Sequence, residues 1–233
     1  MNSNLPQHQT CVLTYPILGT KVTSPYPVKL TPGETRLVFS LQRLFAPENI
    51  LPDFYAPKVN YQTKFLSAQD NFALCAGKKS VAGSELVQID CLAFNEAGVF
   101  VFESKDYSGW IYGDVHASHW TQTLNYGQEK HHFPNPLKQN VLHVAAIADF
   151  LPQNIPIYSV VVFGRDSTLK TTFPKLNQSF ITTQSSLIPL LQQIKTAAPC
   201  SSPLSELRSA FQHHRIIPDS YIREEHIHNI QGL

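Results

Sequence analysis

The sequence predicts an α/β protein, and three observations predict it. Leu86 to Lys105 reads LVQIDCLAFNEAGVFVFESK, two β-branched and aromatic runs on either side of Asn-Glu-Ala-Gly turn chemistry, which makes a β-hairpin. Ile157–Phe163 is apolar almost throughout, the pattern of a strand inside a parallel or mixed sheet. Amphipathic or apolar helical stretches, each opened by a capping residue followed by proline, lie before and between these strands.

Taken in order, residues 1–30 are rich in Pro and Thr and read as an extended arm. A helix is expected from Thr31 to Phe45: Thr31 serves as N-cap, Pro32 fits N1, Glu34 completes a capping box, and Leu37, Leu41, Leu44 and Phe45 form one apolar stripe. Short strands are expected around Phe54 and Phe72, and a loop at Lys78-Lys79-Ser80. After the hairpin, Trp110–Asp114 and His119–Leu124 read as strands, the second broken by Asn125-Tyr126-Gly127. His131-His132 falls in an expected polar loop. Asn135 caps a helix running to about Leu151 that is apolar around most of its circumference and therefore buried. Ser179–Thr182 reads as a further strand, and Ser185–Ile194 and Leu204–His214 as helices. One α/β domain over 31–200, with a helical C-terminal extension over 201–233, is the expected organisation.

Apolar residue types make up 42% of the 233 residues and charged types 15%, against roughly 25% in typical domains. Such a chain buries a sizeable core and is not disordered. Eighteen Lys and Arg against seventeen Asp and Glu leave a net charge of +1, so no global basic footprint announces a nucleic-acid partner. Any such footprint must be local, drawn from residues such as Lys64, Lys78, Lys79, Lys130, Lys138, Arg165, Lys170 and Lys175. Cys11, Cys75, Cys91 and Cys200 are far apart with no C-x-x-C pair, which argues against a thiolate zinc site and for free thiols. With neither a signal-peptide pattern nor a membrane-length apolar run, a cytoplasmic location is expected.

The hairpin carries the chemistry. A two-residue loop at Glu96-Ala97 pairs Asn95 with Gly98 and sets Asp90 directly opposite Glu103; a three-residue loop shifts the register by one and still leaves them neighbours. Lys105 shares the face of Glu103 because strand side chains alternate with period two. Facing carboxylates repel, so something compensates: either a hard divalent cation such as Mg²⁺ or Mn²⁺, or Lys105 as a structural salt bridge.

The run Ile89-Asp90, Gly98-Val-Phe-Val-Phe-Glu103-Ser-Lys105, Ser108-Gly109 and Asn135-Pro136-x-x-Gln139, together with Pro32-Gly33-Glu34, resembles the nuclease-related domain (NERD) family of the PD-(D/E)xK nuclease superfamily. The resemblance implies a restriction-endonuclease-like core, a central mixed sheet flanked by helices with the acidic residues and lysine at its mouth. It implies Asp90 and Glu103 as ligands of Mg²⁺ or Mn²⁺, completed by the main-chain carbonyl of Ser104. Lys105 would orient or deprotonate the attacking water and stabilise the charged transition state. Gln139 and Glu34 match further site residues; where some related nucleases carry a tyrosine one turn after the glutamine, this chain has His143. The implied activity is metal-dependent hydrolysis of phosphodiester bonds in DNA, with RNA as an alternative partner and no membrane. A non-catalytic binding or scaffold protein on the same fold is the competing reading. Tyr107, Trp110 and Tyr112 are expected to be sheet packing, with base stacking as the alternative. Cys91, facing away from Asp90, is expected in the core.

Overall fold

Strand pairing sets the architecture. The computed structural model describes residues 11–14, 21–24, 30–59, 86–170, 178–195 and 203–216. Its elements are β1 (Cys11–Thr14), β2 (Lys21–Ser24), α1 (Pro32–Leu41), β3 (Ile50–Pro57), β4 (Leu86–Asn95), β5 (Gly98–Lys105), β6 (Gly109–Tyr112) and β7 (His119–Leu124). These are followed by β8 (Glu129–Pro134), α2 (Pro136–Ala148), β9 (Ile157–Phe163), β10 (Ser167–Leu169), β11 (Ser179–Thr183), α3 (Leu187–Lys195) and α4 (Leu204–His214). The strand expected around Phe72 and the Lys78-Lys79-Ser80 loop lie outside the described residues.

The central sheet is mixed, with strand order β11-β9-β5-β4-β3. β3, β4 and β5 form an antiparallel meander, and β9 and β11 add in parallel. Alternation along β5 sorts the core into two layers. Phe100 and Phe102 face Leu37 and Leu41 of α1 and Leu187 and Leu191 of α3. Val99 and Val101 face Val144 and Ile147 of α2 and Leu207 and Phe211 of α4. Cys91 is fully buried on the first side, as expected. Helices therefore flank both faces of a mixed sheet, which is the predicted fold class.

Local chemistry explains the element ends. Thr31 Oγ1 accepts from the Glu34 N–H at 3.3 Å while Glu34 Oε2 accepts from the Thr31 N–H at 2.8 Å, the capping box that opens α1. The helix stops at Leu41, short of the expected Phe45, and residues 42–45 continue as a turn that still buries Phe45. The hairpin register is the one the two-residue loop requires, Asn95 facing Gly98. Gly98 has φ 133°, and a Cβ there would sit 2.3 Å from the Pro156 carbonyl oxygen, so the position requires glycine.

A second, four-stranded sheet has the order β10-β6-β7-β8. Ile111, Trp120 and Phe133 on its inner face pack with Leu137 of α2 and with Val161 and Phe163 of β9. Here two expectations are corrected. His131 and His132 lie in strand β8, not in a polar loop, because β8 completes its backbone pairing against β7 while burying only Phe133. The first strand expected at Trp110–Asp114 is Gly109–Tyr112; Asp114 instead sits in the following turn, its Oδ1 accepting from the His116 N–H. The three aromatics expected as sheet packing divide between two faces: Tyr107 packs edge-on to Phe133 at 4.7 Å, while Trp110, half-buried, and Tyr112 lie on the opposite, outer face.

Asn135 ties this sheet to α2. Its Oδ1 accepts from the Leu137 N–H at 3.0 Å, and its Nδ2 lies within 3.2 Å of the carbonyls of Asp114, Val115 and Ala117. Loss of a cap plus exposure of buried carbonyls predicts that Asn135→Ala costs about 2–4 kcal/mol in denaturant unfolding. Asn135→Asp keeps the cap acceptor but faces three carbonyls with a carboxylate, and is expected to cost no less.

Candidate functional site

The site begins where β4 stops pairing with β5. Its ladder with β5 runs from Asn95–Gly98 to Cys91–Phe102 and ends there, one step before Asp90 and Glu103. Its ladder with β3 skips at the same residue: Pro52 faces Cys91 and Phe54 faces Ile89, leaving Asp53 across from Asp90 without a backbone pair. Asp53 has φ 50°, a left-handed conformation inside a strand that a non-glycine residue adopts only under constraint. Instead of backbone, the Asp90 side chain spans the gap, its Oδ2 accepting from the Ser104 N–H at 2.7 Å. Beyond the gap β5 stays in register with β9 through Lys105, so Glu103, Ser104 and Lys105 are held rigidly.

Around that gap the predicted residues converge. Lys105 Nζ lies 2.6 Å from Glu103 Oε1, and His143 Nδ1 from α2 lies 3.4 Å from Glu103 Oε2. Glu103 is 5% exposed. Asn140, fully buried one turn before Val144 in α2, donates to the Val101 carbonyl and to Ser159 Oγ at 2.9 Å each, fixing the helix on the sheet. Gln139 lies one helical turn before His143 on the same helix face. Its buried Oε1 has no hydrogen-bond partner among the described residues. Glu34 keeps its capping role and adds its charge to the cluster from the start of α1.

The electrostatics are lopsided. Burial, reinforced by the carboxylates of Glu103 and Glu34, pushes the Asp90 carboxyl well above the usual carboxylate range. Burial likewise lifts Glu34, against its hydrogen bonds to Thr31, with Asp53 and Glu103 adding to the rise. Burial opposes the Lys105 ammonium, yet the Glu103 and Asp90 carboxylates outweigh it and hold Lys105 above an ordinary lysine. Three mutually repelling carboxyl groups stand against one ammonium, an excess that favours the protonated form of Asp90.

The sequence matches a known family over this same region. Residues 32–164, from the first residue of α1 to the end of β9 and Gly164, match the nuclease-related domain, NERD. The chain belongs to the nuclease-related domain family. A Bacillus anthracis protein described only as uncharacterized is 41% identical over 86 residues, covering 37% of this chain and 40% of that relative, so the match spans less than half of either. No solved structure matches the chain.

Within this nuclease-related domain, the structure gathers Asp90, Glu103, Ser104 and Lys105 at one gap and sets Glu34 and His143 against it. Asp53 is the residue that reading the sequence missed. Its signal was Pro52-Asp53 in the middle of an apolar strand, two residue types that strands disfavour. Among the described residues no three His, Cys, Asp or Glu side chains are already gathered to hold a metal ion. The donors on offer are two carboxylates, a main-chain carbonyl and the orphaned Gln139 oxygen, all hard oxygen ligands. That donor set fits a hard, largely hydrated cation and not zinc. Among the described residues no helix is long and apolar enough to cross a membrane.

The raised Asp90 carboxyl fixes the sign of a stability test. The native state holds the Asp90 proton to higher pH than the unfolded chain does, so stability falls as pH rises from about 4, the ordinary carboxylate value, through the native value. Asp90→Asn, which can still accept from Ser104, is therefore expected to melt above the parent at pH 8 in metal-free buffer. The difference should vanish near pH 4; a parent that melts higher at pH 8 would contradict the charge excess.

Proposed function

We propose that this nuclease-related protein is a divalent-metal-dependent nuclease that hydrolyses phosphodiester bonds in DNA. One observation carries the reading: Asp90, Glu103 and Lys105 converge where β4 stops pairing with β5, with more carboxyl groups at the gap than the single ammonium balances. Asp90, Glu103 and the Ser104 carbonyl would hold Mg²⁺ or Mn²⁺, with Gln139 Oε1 facing a coordinated water. When bound, such an ion neutralises phosphate charge and lowers the pKa of a coordinated water.

The chain's own residues supply positioning. Lys105, swung from Glu103, donates to the attacking water and to the phosphate oxygens as their charge grows. Its rigid placement comes from pairing of β5 with β9 through Lys105 itself. Glu34, at the first turn of α1, balances charge across the gap and acts as a positioning residue. His143, against Glu103 Oε2, fixes the orientation of that carboxylate.

A second reading, a non-catalytic nucleic-acid-binding or scaffold protein, is favoured by one observation: both Glu103 oxygens are already occupied, by Lys105 and His143. Two measurements separate the readings. Purified protein should nick plasmid DNA with Mg²⁺ or Mn²⁺, and Lys105→Ala should lower the rate about 10²–10³-fold while retaining a cooperative unfolding transition. Mg²⁺ near 100 times its Kd should raise the stability of the parent by about 2.7 kcal/mol and leave Asp90→Asn unchanged. No cleavage of duplex, single-stranded or branched DNA, with no stabilisation by either ion, sinks the nuclease reading and leaves the scaffold.

A further inference from the structure

The outer face of the second sheet has no part in the site described above. Residues paired across a sheet project to the same side. Through the registers of β10, β6, β7 and β8, Thr168, Trp110, Thr123 and Lys130 form one cross-strand row, and Tyr112, Thr121 and His132 form the next. Lys170, just past β10, donates its N–H to the Ile111 carbonyl and lays its ammonium 4.8 Å over the Trp110 ring. The alternate residues Ile111, Trp120 and Phe133 are the buried ones, so these rows point outward.

Their chemistry is unlike an ordinary solvated sheet face. Tyr112 is 39% exposed and Trp110 half-buried, while Lys130, His132, Thr168 and Lys170 are exposed. Neither row contains a carboxylate; Glu129 belongs to the opposite alternation, its carboxylate 4.0 Å from His131 Nε2. Thr123, 6% exposed beneath this face, has a hydroxyl without a hydrogen-bond partner among the described residues. Two aromatics two residues apart on one strand stand roughly 6–7 Å apart. That is about twice the ~3.4 Å rise of stacked bases in a duplex, so each ring can take one base only from a strand whose bases are separated.

We propose that this face docks single-stranded nucleic acid, with one base on Trp110, its neighbour on Tyr112, and the phosphates against Lys130, Lys170 and His132. Aromatic rings supply sequence-tolerant stacking, and the cations supply a local positive field that the near-neutral chain lacks overall. The inference rests on the nuclease reading only for the fate of the strand. β5 passes from Lys105 through residues 106–108 directly into β6, so the docking face is covalently next to the acidic gap.

Intrinsic fluorescence tests it, because the chain has two tryptophans and Trp120 is buried, its Nε1–H donating to the Asp114 carbonyl. The full chain is titrated in EDTA with oligothymidylate, with oligouridylate and with a duplex, each of about 12 nucleotides, a length within known single-strand site sizes. Saturable quenching by a single strand, weakened by salt and at least about tenfold tighter than for the duplex, is expected. Quenching by either arm supports the proposal, and the tighter arm identifies the sugar. Trp110→Phe should abolish the quench yet still bind labelled oligonucleotide by anisotropy. Tyr112→Ala combined with Lys170→Ala should weaken binding at least about tenfold with the unfolding transition unchanged. Absence of binding in both arms, binding without quenching, or parental affinity in the double variant overturns the proposal. Cleavage with Mg²⁺ but no quench removes this docking face and leaves the nuclease reading; a quench with no cleavage does the reverse.

Discussion

The break in strand pairing at Asp90 is the constraint on which the site depends. A central strand normally satisfies its backbone on both sides; in β4 the ladder to β5 ends at Cys91, and the ladder to β3 skips at Asp90, so this residue is paired on neither side. Releasing it turns a buried strand position into an open one and lets a side chain, not a main-chain group, meet β5. The left-handed Asp53 directly across is the conformational cost of that release. Strain of this kind persists only where the surroundings over-determine it. Here the flanking ladder pairs on either side, Pro52–Cys91 and Phe54–Ile89, do so.

The charge at the gap follows from the same geometry. Glu103 remains in the ladder with β9 while Asp90 is freed, so the two carboxylates approach across an interruption and not across a regular pair. α1 adds Glu34 because its capping box places that residue in the first turn, at the end nearest the gap. A single structural device, the helix cap, thus also raises the local negative charge. Lys105 offsets part of it through Glu103, and burial weighs most heavily on Asp90.

α2 joins the two halves of the fold. Asn135 clamps the turn before β7 and opens the helix; Asn140 anchors the next turn to β5 and β9; Gln139 and His143 lie one turn apart on the same helix. Apolar periodicity alone would let a helix slide along the sheet, whereas two buried amides with specific partners fix its register. The second sheet is held to the same helix through Leu137, with its polar, aromatic face turned away from that contact.

Much of this was legible in the chain itself. Period-two alternation and a two-residue turn dictate the hairpin register, and the capping box at Thr31 and the Asn135-Pro136 start dictate where α1 and α2 begin, because each depends on residues within a few positions of one another. Asp90, Glu103 and Lys105 could be placed together for that reason. Short polar strands could not: β8 and β10 bury one residue apiece and exist because a partner strand satisfies their backbone. Nor could the outward turn of Trp110 and Tyr112, which depends on which side of β6 meets the core. The interruption at Asp90, the strained Asp53 across from it and the reach of His143 to Glu103 were decided by tertiary structure. Each arises between segments distant in sequence, where packing, not local propensity, fixes which backbone groups find partners.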